Sequence, residues 1–223
     1  MFERTISLVG EEAFNKIQSK TILIVGIGGV GGFAAEALVR SGIQNIILID
    51  HDKIDITNLN RQIISTSKNI NKYKVDEFKK RINEINSKCN IEAIKIFLDQ
   101  SNINILDKYQ IDYIVDACDS IEAKKLLIDY SIKNNIKLIS SMGTANKLDP
   151  TKLEITDIRK TSYDPLAKIL RKYVKDMKTN KKIMVVSSSE APIKKQKLST
   201  LIFVPATAGL LCANYIINDI IKE

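Results

Sequence analysis

Apolar residues along the first two thirds of this chain follow two alternating patterns. Short, nearly unbroken runs occupy residues 21–25 (TILIV), 46–49, 91–97, 113–117 and 137–141. Runs of that length, rich in β-branched residues, predict strands buried on both faces of a parallel sheet. Between them lie longer stretches with spaced apolar positions. In residues 74–86 these are Val75, Phe78, Ile82 and Ile85, the spacing of a helix with one buried face. Residues 10–20, 34–40 and 121–134 read the same way. The alternation predicts an α/β chain with a Rossmann-like, doubly wound, mostly parallel sheet, and ligands at the C-terminal ends of its strands. Beyond residue 142 the rhythm changes. Residues 153–158 and 183–187 predict strands, 165–178 a basic helix, 194–199 a charged connection and 201–221 an apolar final helix. There is no internal repeat and no low-complexity linker. We therefore expect one domain over 1–223, with a nucleotide-binding core at 1–142 and a C-terminal covering lobe at 143–223 on the substrate side.

Composition narrows the class. With 223 residues, 44% of them hydrophobic and 27% charged, the chain can bury a full core. Residues 1–20 carry Glu3, Arg4, Glu11 and Glu12 and have no signal-like apolar run. The final apolar stretch is interrupted by Pro205, Gly209, Asn214, Asn218 and Asp219. A buried helix explains it better than a membrane span, which needs about 20 unbroken apolar residues. No integral membrane segment is expected, and a peripheral membrane contact stays open as the alternative. Cys89, Cys118 and Cys212 are isolated, so neither a CxxC zinc site nor a disulfide framework is indicated. The expected compartment is the reducing cytoplasm. Net charge is +8 and the pI is near 9.2, which fits an anionic partner such as nucleic acid. It fits equally a general enrichment in Ile, Lys and Asn.

The chemistry concentrates in residues 21–61. The first strand runs into Gly26-Ile27-Gly28-Gly29-Val30-Gly31, a GxGxxG loop that opens a helix ended by Gly42. Such glycines permit a tight turn and close backbone approach to phosphate, with the helix N-terminus behind it. Asp50 follows at the end of the next strand, 19 positions after Gly31, where a ribose hydroxyl needs an acceptor. Asp52 follows it. Arg61 sits just after Asn58 in a segment too polar for the core, and Lys74 opens a helix. Asp119 ends the strand reaching Asp116-Ala117-Cys118, where a carboxylate can hold Mg²⁺. Together these groups describe a triphosphate clamped by Arg and Lys with a metal opposite. A nicotinamide-dependent oxidoreductase shares the loop and Asp50 but has no use for the other three as a set. Cys118 reads as a small buried strand residue or a thioester former. His51, the only histidine, reads as loop packing or a general base.

GIGGVGG, DHD, TNLNRQ, KV and DACDS resemble the adenylating domain of the ubiquitin-activating superfamily, which joins a carboxylate to AMP. The resemblance implies that ATP is bound with its ribose on Asp50 and its phosphates on Asn58, Arg61 and Lys74. It implies Mg²⁺ on Asp119, and a homodimer in which Arg4 enters the neighbouring subunit's site. MGTANKLDPT, KTSYDPLAK and LIFVPATAGLLCA are similar to one subgroup of that superfamily, which cyclises the threonylcarbamoyl side chain of a modified adenosine in tRNA, and the similarity spans 2–221. Gly32, Thr144-Ala145 and a short 190–203 segment depart from the subgroup's pattern. An activator of a ubiquitin-like sulfur carrier is the alternative, and the missing CxxC pairs argue against it. The implied partners are tRNA carrying threonylcarbamoyladenosine and a second copy of the chain. A sulfur-relay protein and a monovalent cation in the C-terminal lobe remain open. Lys168, Arg171, Lys172 and Lys175, with Lys178, Lys181 and Lys182 beyond, form the candidate tRNA backbone surface, or else a solvated helix face.

Overall fold

The computed structural model describes residues 1–223. Seven strands form one sheet in the order β3-β2-β1-β4-β5-β7-β6. They are β1 (Thr21–Val25), β2 (Asn45–Ile49), β3 (Asn90–Ile94), β4 (Tyr113–Asp116), β5 (Lys137–Ser141), β6 (Leu153–Asp157) and β7 (Met184–Ser188). All neighbours run parallel except β6, which is antiparallel to β7 at the edge. Successive residues of a strand point to opposite faces, and two cores result. Ile22 and Ile24 join Leu38, Phe78 and Ile216 on one face. Leu23 and Val25 join Leu127, Leu170 and Val174 on the other. The first face carries α2 (Glu11–Ser19), α3 (Gly31–Ser41), α4 (Lys74–Ile85) and α7 (Phe203–Lys222), the second α5 (Ile121–Lys133) and α6 (Pro165–Asp176).

Three features differ from the sequence expectation. A separate first helix, α1 (Glu3–Val9), precedes α2 and buries none of its residues. Strand β3 stops at Ile94 rather than 97, which releases Ile96, Phe97 and Leu98 to line a cavity. Residues 143–223 also supply strands to the common sheet, and only their loops reach over its C-terminal end.

Helix α7 is long and apolar enough to cross a membrane, with a mean hydropathy of 1.3. Here it lies on α3 so closely that a Cβ at Gly209 would meet the Val30 carbonyl oxygen at 2.2 Å. Ala208, Cys212, Ala213, Ile216 and Ile220 bury one face of it in the core. Its last turn is pinned electrostatically. The Glu223 carboxylate lies 2.8 Å from both Lys137 Nζ and Lys20 Nζ, and Asp219 is 2.6 Å from Lys137 Nζ. Those two ammonium groups, Lys137 first, hold Glu223 down to about 2. A carboxyl that ionises more readily in the folded chain contributes stability above its unfolded value and loses it as pH falls. Glu223→Gln is therefore expected to melt below the wild type at pH 6. Thermal scans should show the gap closing as pH drops from about 4.5 to about 2.

The two blocks specific to the tRNA-acting subgroup meet in the second core. Lys147 Nζ donates to Asp164 at 3.0 Å and to Gly143 O at 2.8 Å, and both charged residues are buried. The other carboxylate oxygen of Asp164 caps α6 by accepting from Ala167 N at 2.8 Å. Paired in this way, neither charge is buried without a partner, and the 143–147 turn is locked to the start of α6.

Candidate active site

A cavity of about 730 Å³ opens where the C-terminal ends of β1, β2 and β4 meet the loops that follow them. Its glycine floor has two kinds of glycine. Gly26 sits at φ +87°, and a Cβ there would fall 2.7 Å from Ala117 O. At Gly31 a Cβ would overlap Gly26 O at 1.8 Å. These two let the loop fold, and Gly31 does not line the cavity, so its expected ligand contact is replaced by a packing role. Gly28 and Gly29 do line it, and a Cβ on either would meet no protein atom closer than 3.4 Å. The protein leaves that space free, as a phosphate lying on the backbone requires. Helix α3 starts there with no side-chain cap, leaving its first N–H groups to an anion.

Asp50 is largely buried and already occupied. One carboxylate oxygen accepts from Ile27 N at 2.6 Å and the other from Asp52 N at 2.8 Å. It fastens the glycine loop to the end of β2, and a ribose hydroxyl would share its remaining lone pairs. Lys74 begins α4 almost fully buried, 2.7 Å from Asp52 and 3.9 Å from Asp50. Its ammonium thus waits between two acids at the cavity edge. Asn58 uses its side-chain oxygen to accept from Asp55 N at 3.1 Å, closing the turn that presents Asn60 and Arg61. Arg61 donates to Thr57 O and Asn60 Oδ1 at 2.8 and 3.0 Å, which aligns the guanidinium against the cavity.

Three cavity groups were not singled out from the sequence. Gln62 is 6% exposed, and its Oε1 has no hydrogen-bond partner. A buried amide oxygen left unsatisfied beside Gly28 points to a ligand donor. Phe97 and His51 pack edge to face at 5.0 Å, offering an aromatic wall to a base. Beneath the β4 end, Lys124 is completely buried. Its Nζ reaches Asp116 Oδ1 at 3.1 Å, Ser141 O at 2.8 Å and Ser140 Oγ at 3.3 Å. Burial opposes its charge, but the Asp116 carboxylate more than offsets this, and the ammonium titrates above its ordinary value. A lysine inside an apolar helix pattern gave no local sign of this contact.

Cys118 lies 3.0 Å from Asp116 Oδ1. Burial, and after it the Asp116 carboxylate, raise its thiol well above the usual range. Such a thiol is a poor nucleophile at neutral pH, in keeping with a packing role. Asp119 is exposed on the cavity wall and forms no ion pair or hydrogen bond within the chain. Asp50, His51 and Asp52 also bring possible metal-ligating atoms within 4.8 Å of one another. Asp50 and Asp52 are engaged by backbone N–H groups and Lys74, so Asp119 is the acid free to hold Mg²⁺ beside phosphates.

Other expected site residues lie elsewhere. Arg4 is exposed on α1, outside the cavity. On α6, Lys168, Lys172 and Lys175 face solvent. Arg171 does not join them: it donates to the Thr161 carbonyl and, at 2.7 Å, to Thr161 Oγ1, bracing the loop before the helix.

With this geometry in place, the similarities to known proteins can be stated. The model of the ThiF family matches residues 2–221. A tRNA threonylcarbamoyladenosine dehydratase of Bacillus subtilis is 38% identical over all of this chain and 95% of its own length. One from Escherichia coli is 37% identical over 93% of this chain and 80% of its own. The crystal structure of the Escherichia coli dehydratase TcdA in complex with ATP superposes with a TM-score of 0.94 at 35% identity, covering 99% of this chain and 93% of that one.

Proposed function

The chain belongs to the ThiF family, and from that membership we propose that it is an ATP-dependent dehydratase of threonylcarbamoyladenosine in tRNA. The observation that carries the reading is the cavity itself. Open glycine backbone, Arg61, Lys74 and a free Asp119 surround one space of about 730 Å³, and relatives with this arrangement along nearly their whole length carry that activity in their names.

The chemistry follows from what a carboxylate lacks. The threonyl carboxylate of the modified base is a poor electrophile because oxide cannot leave. One of its oxygens attacks the α-phosphorus of ATP, the bond to the bridging β-phosphate oxygen breaks, and pyrophosphate departs. A neighbouring group of the same carbamoyl side chain then attacks the acyl carbon, loses its proton and expels AMP. The oxygen of the water lost in net terms ends on AMP. Arg61 and Lys74 lie where negative charge builds on the phosphates, and the Gly28-Gly29 backbone orients them. Mg²⁺ bound at Asp119 would add positive charge beside the triphosphate. No covalent enzyme intermediate is needed, consistent with the raised Cys118 thiol. The same reading includes a cytoplasmic homodimer in which Arg4 of one copy approaches the cavity of the other.

Nucleoside mass analysis tests it. Protein, ATP, Mg²⁺ and tRNA carrying threonylcarbamoyladenosine should yield a nucleoside lighter by one water, with AMP formed only on modified tRNA. Asp119→Asn should retain ATP binding but need a higher Mg²⁺ concentration for the same rate. An unchanged nucleoside mass with intact ATP binding would sink the reading and favour an activator of a sulfur-carrier protein.

A further inference from the structure

Two features without a role in adenylation converge on the 143–147 turn, whose Thr144 and Ala145 line the cavity. The first is the 190–200 loop. Asn146, at φ +58°, clamps it from one side: Ser199 N donates to Asn146 Oδ1 at 2.9 Å, Asn146 N to Ser199 O at 2.7 Å, and Ile193 N to Asn146 O at 2.7 Å. From the other side Asn60, next to Arg61, donates to Thr200 O at 3.1 Å. Glu190 anchors the start of the loop by accepting from Leu148 N and Asp149 N at 3.0 Å each. Suspended in this way across the cavity rim, the loop lines it with Leu198, Ser199 and Thr200. Lys194, Lys195 and Lys197 are exposed on the same loop, and none forms an ion pair.

The second feature is Tyr163. It adopts φ +56°, a left-handed conformation rare for a bulky residue, and Asp164 N donates to Ser162 O at 2.7 Å across it. The ring is 66% exposed. The following residue, Asp164, is held by Lys147, so Tyr163 is displayed immediately beside the 143–147 turn. A strained backbone that turns an aromatic ring out to water needs a reason, and an unstacked nucleobase is a natural partner for it.

Resting on the tRNA reading above, we propose that a single-stranded segment of the nucleic acid docks across the 143–147 turn. Its phosphates lie on Lys194, Lys195 and Lys197 and one splayed base stacks on Tyr163, delivering the modified adenosine to the cavity between them. This places the primary phosphate contacts on the rim loop and not on α6, none of whose residues lines the cavity.

The test measures KM for modified tRNA across a salt series. The triple variant Lys194→Gln, Lys195→Gln, Lys197→Gln should raise KM at least about tenfold at physiological salt. It should also flatten the log–log salt slope by about 2 to 3, near 0.9 for each lost phosphate contact. Replacing the same lysines with arginine should restore both. Tyr163→Ala should raise KM roughly tenfold with the slope unchanged, and Tyr163→Phe should match the wild type. Every variant should keep the wild-type thermal shift with ATP·Mg²⁺, which separates loss of docking from loss of fold. A wild-type slope in the lysine variant would overturn the proposal. So would a slope change found instead in Lys168→Gln, Lys172→Gln, Lys175→Gln. A wild-type protein that leaves modified tRNA unchanged would show that the functional reading itself had failed.

Discussion

Lys74→Ala is expected to lower kcat/KM by about a thousandfold and to remove the thermal shift caused by ATP. The ammonium lies 2.7 Å from Asp52 and 3.9 Å from Asp50 at the edge of the cavity. Without it two carboxylates face an incoming triphosphate with no cation between them, so the site both loses an attraction and gains a repulsion. Lys74 is 4% exposed, which weakens solvent screening of either effect. The fold should tolerate the change at a cost of about 1–2 kcal/mol, because Asp50 keeps its bonds from Ile27 N and Asp52 N. Lys74→Arg should recover ATP binding only in part, since a planar fork cannot occupy the place of a compact ammonium. Single-turnover rates and ATP-dependent melting measure both quantities. A Lys74→Ala protein that still melts higher with ATP would show that the lysine does not meet the triphosphate.

Lys124→Ala carries the largest expected loss of stability, about 3–5 kcal/mol. Lys124 and Asp116 are both 0% exposed, and the removed ammonium donates to Asp116, Ser140 and Ser141. What remains is a buried carboxylate whose partners are reduced to the Ser140 hydroxyl at 2.6 Å and the Cys118 thiol and N–H. For a chain of this length that loss should lower the melting temperature by roughly 10 °C. The double variant Lys124→Met, Asp116→Ala should be more stable than Lys124→Ala, because exchanging a buried pair for apolar groups avoids the stranded charge. Urea midpoints of the three proteins decide the matter. A loss below about 1 kcal/mol in the single variant would mean that water reaches the pair. Asp116 ends β4, and the turn after it presents Asp119, so activity should fall along with stability.

Most of the element order was legible in the residues. Buried runs such as TILIV and NIILI mark strands because a parallel sheet covered on both faces has no solvated side to interrupt them. The period of Val75, Phe78 and Ile82 marks α4 for the complementary reason, one buried face on a helix. Strand β3 was drawn too long, since the apolar positions in 96–98 serve a cavity and not a sheet. Helix α1 was missed because it buries nothing, and hydrophobic periodicity reports burial. Arg171 was read as a free charge because nothing in its neighbourhood along the chain announces Thr161 as its partner.

The residues alone determined that a glycine loop, an acid after the second strand and a spaced Arg-Lys-Asp set occur in one α/β chain. Those are local facts, carried by turn geometry and by side-chain type at short range. Only the tertiary structure decided which glycines serve the fold and which serve a ligand, because that depends on what stands opposite each Cα. It decided likewise that Lys124 and Lys147 are buried partners of Asp116 and Asp164, whereas Lys194, Lys195 and Lys197 are free at a cavity rim. A lysine has the same chemistry in all five places. What differs is its desolvation and the distance to the nearest opposite charge, and both are set by segments far away in the chain.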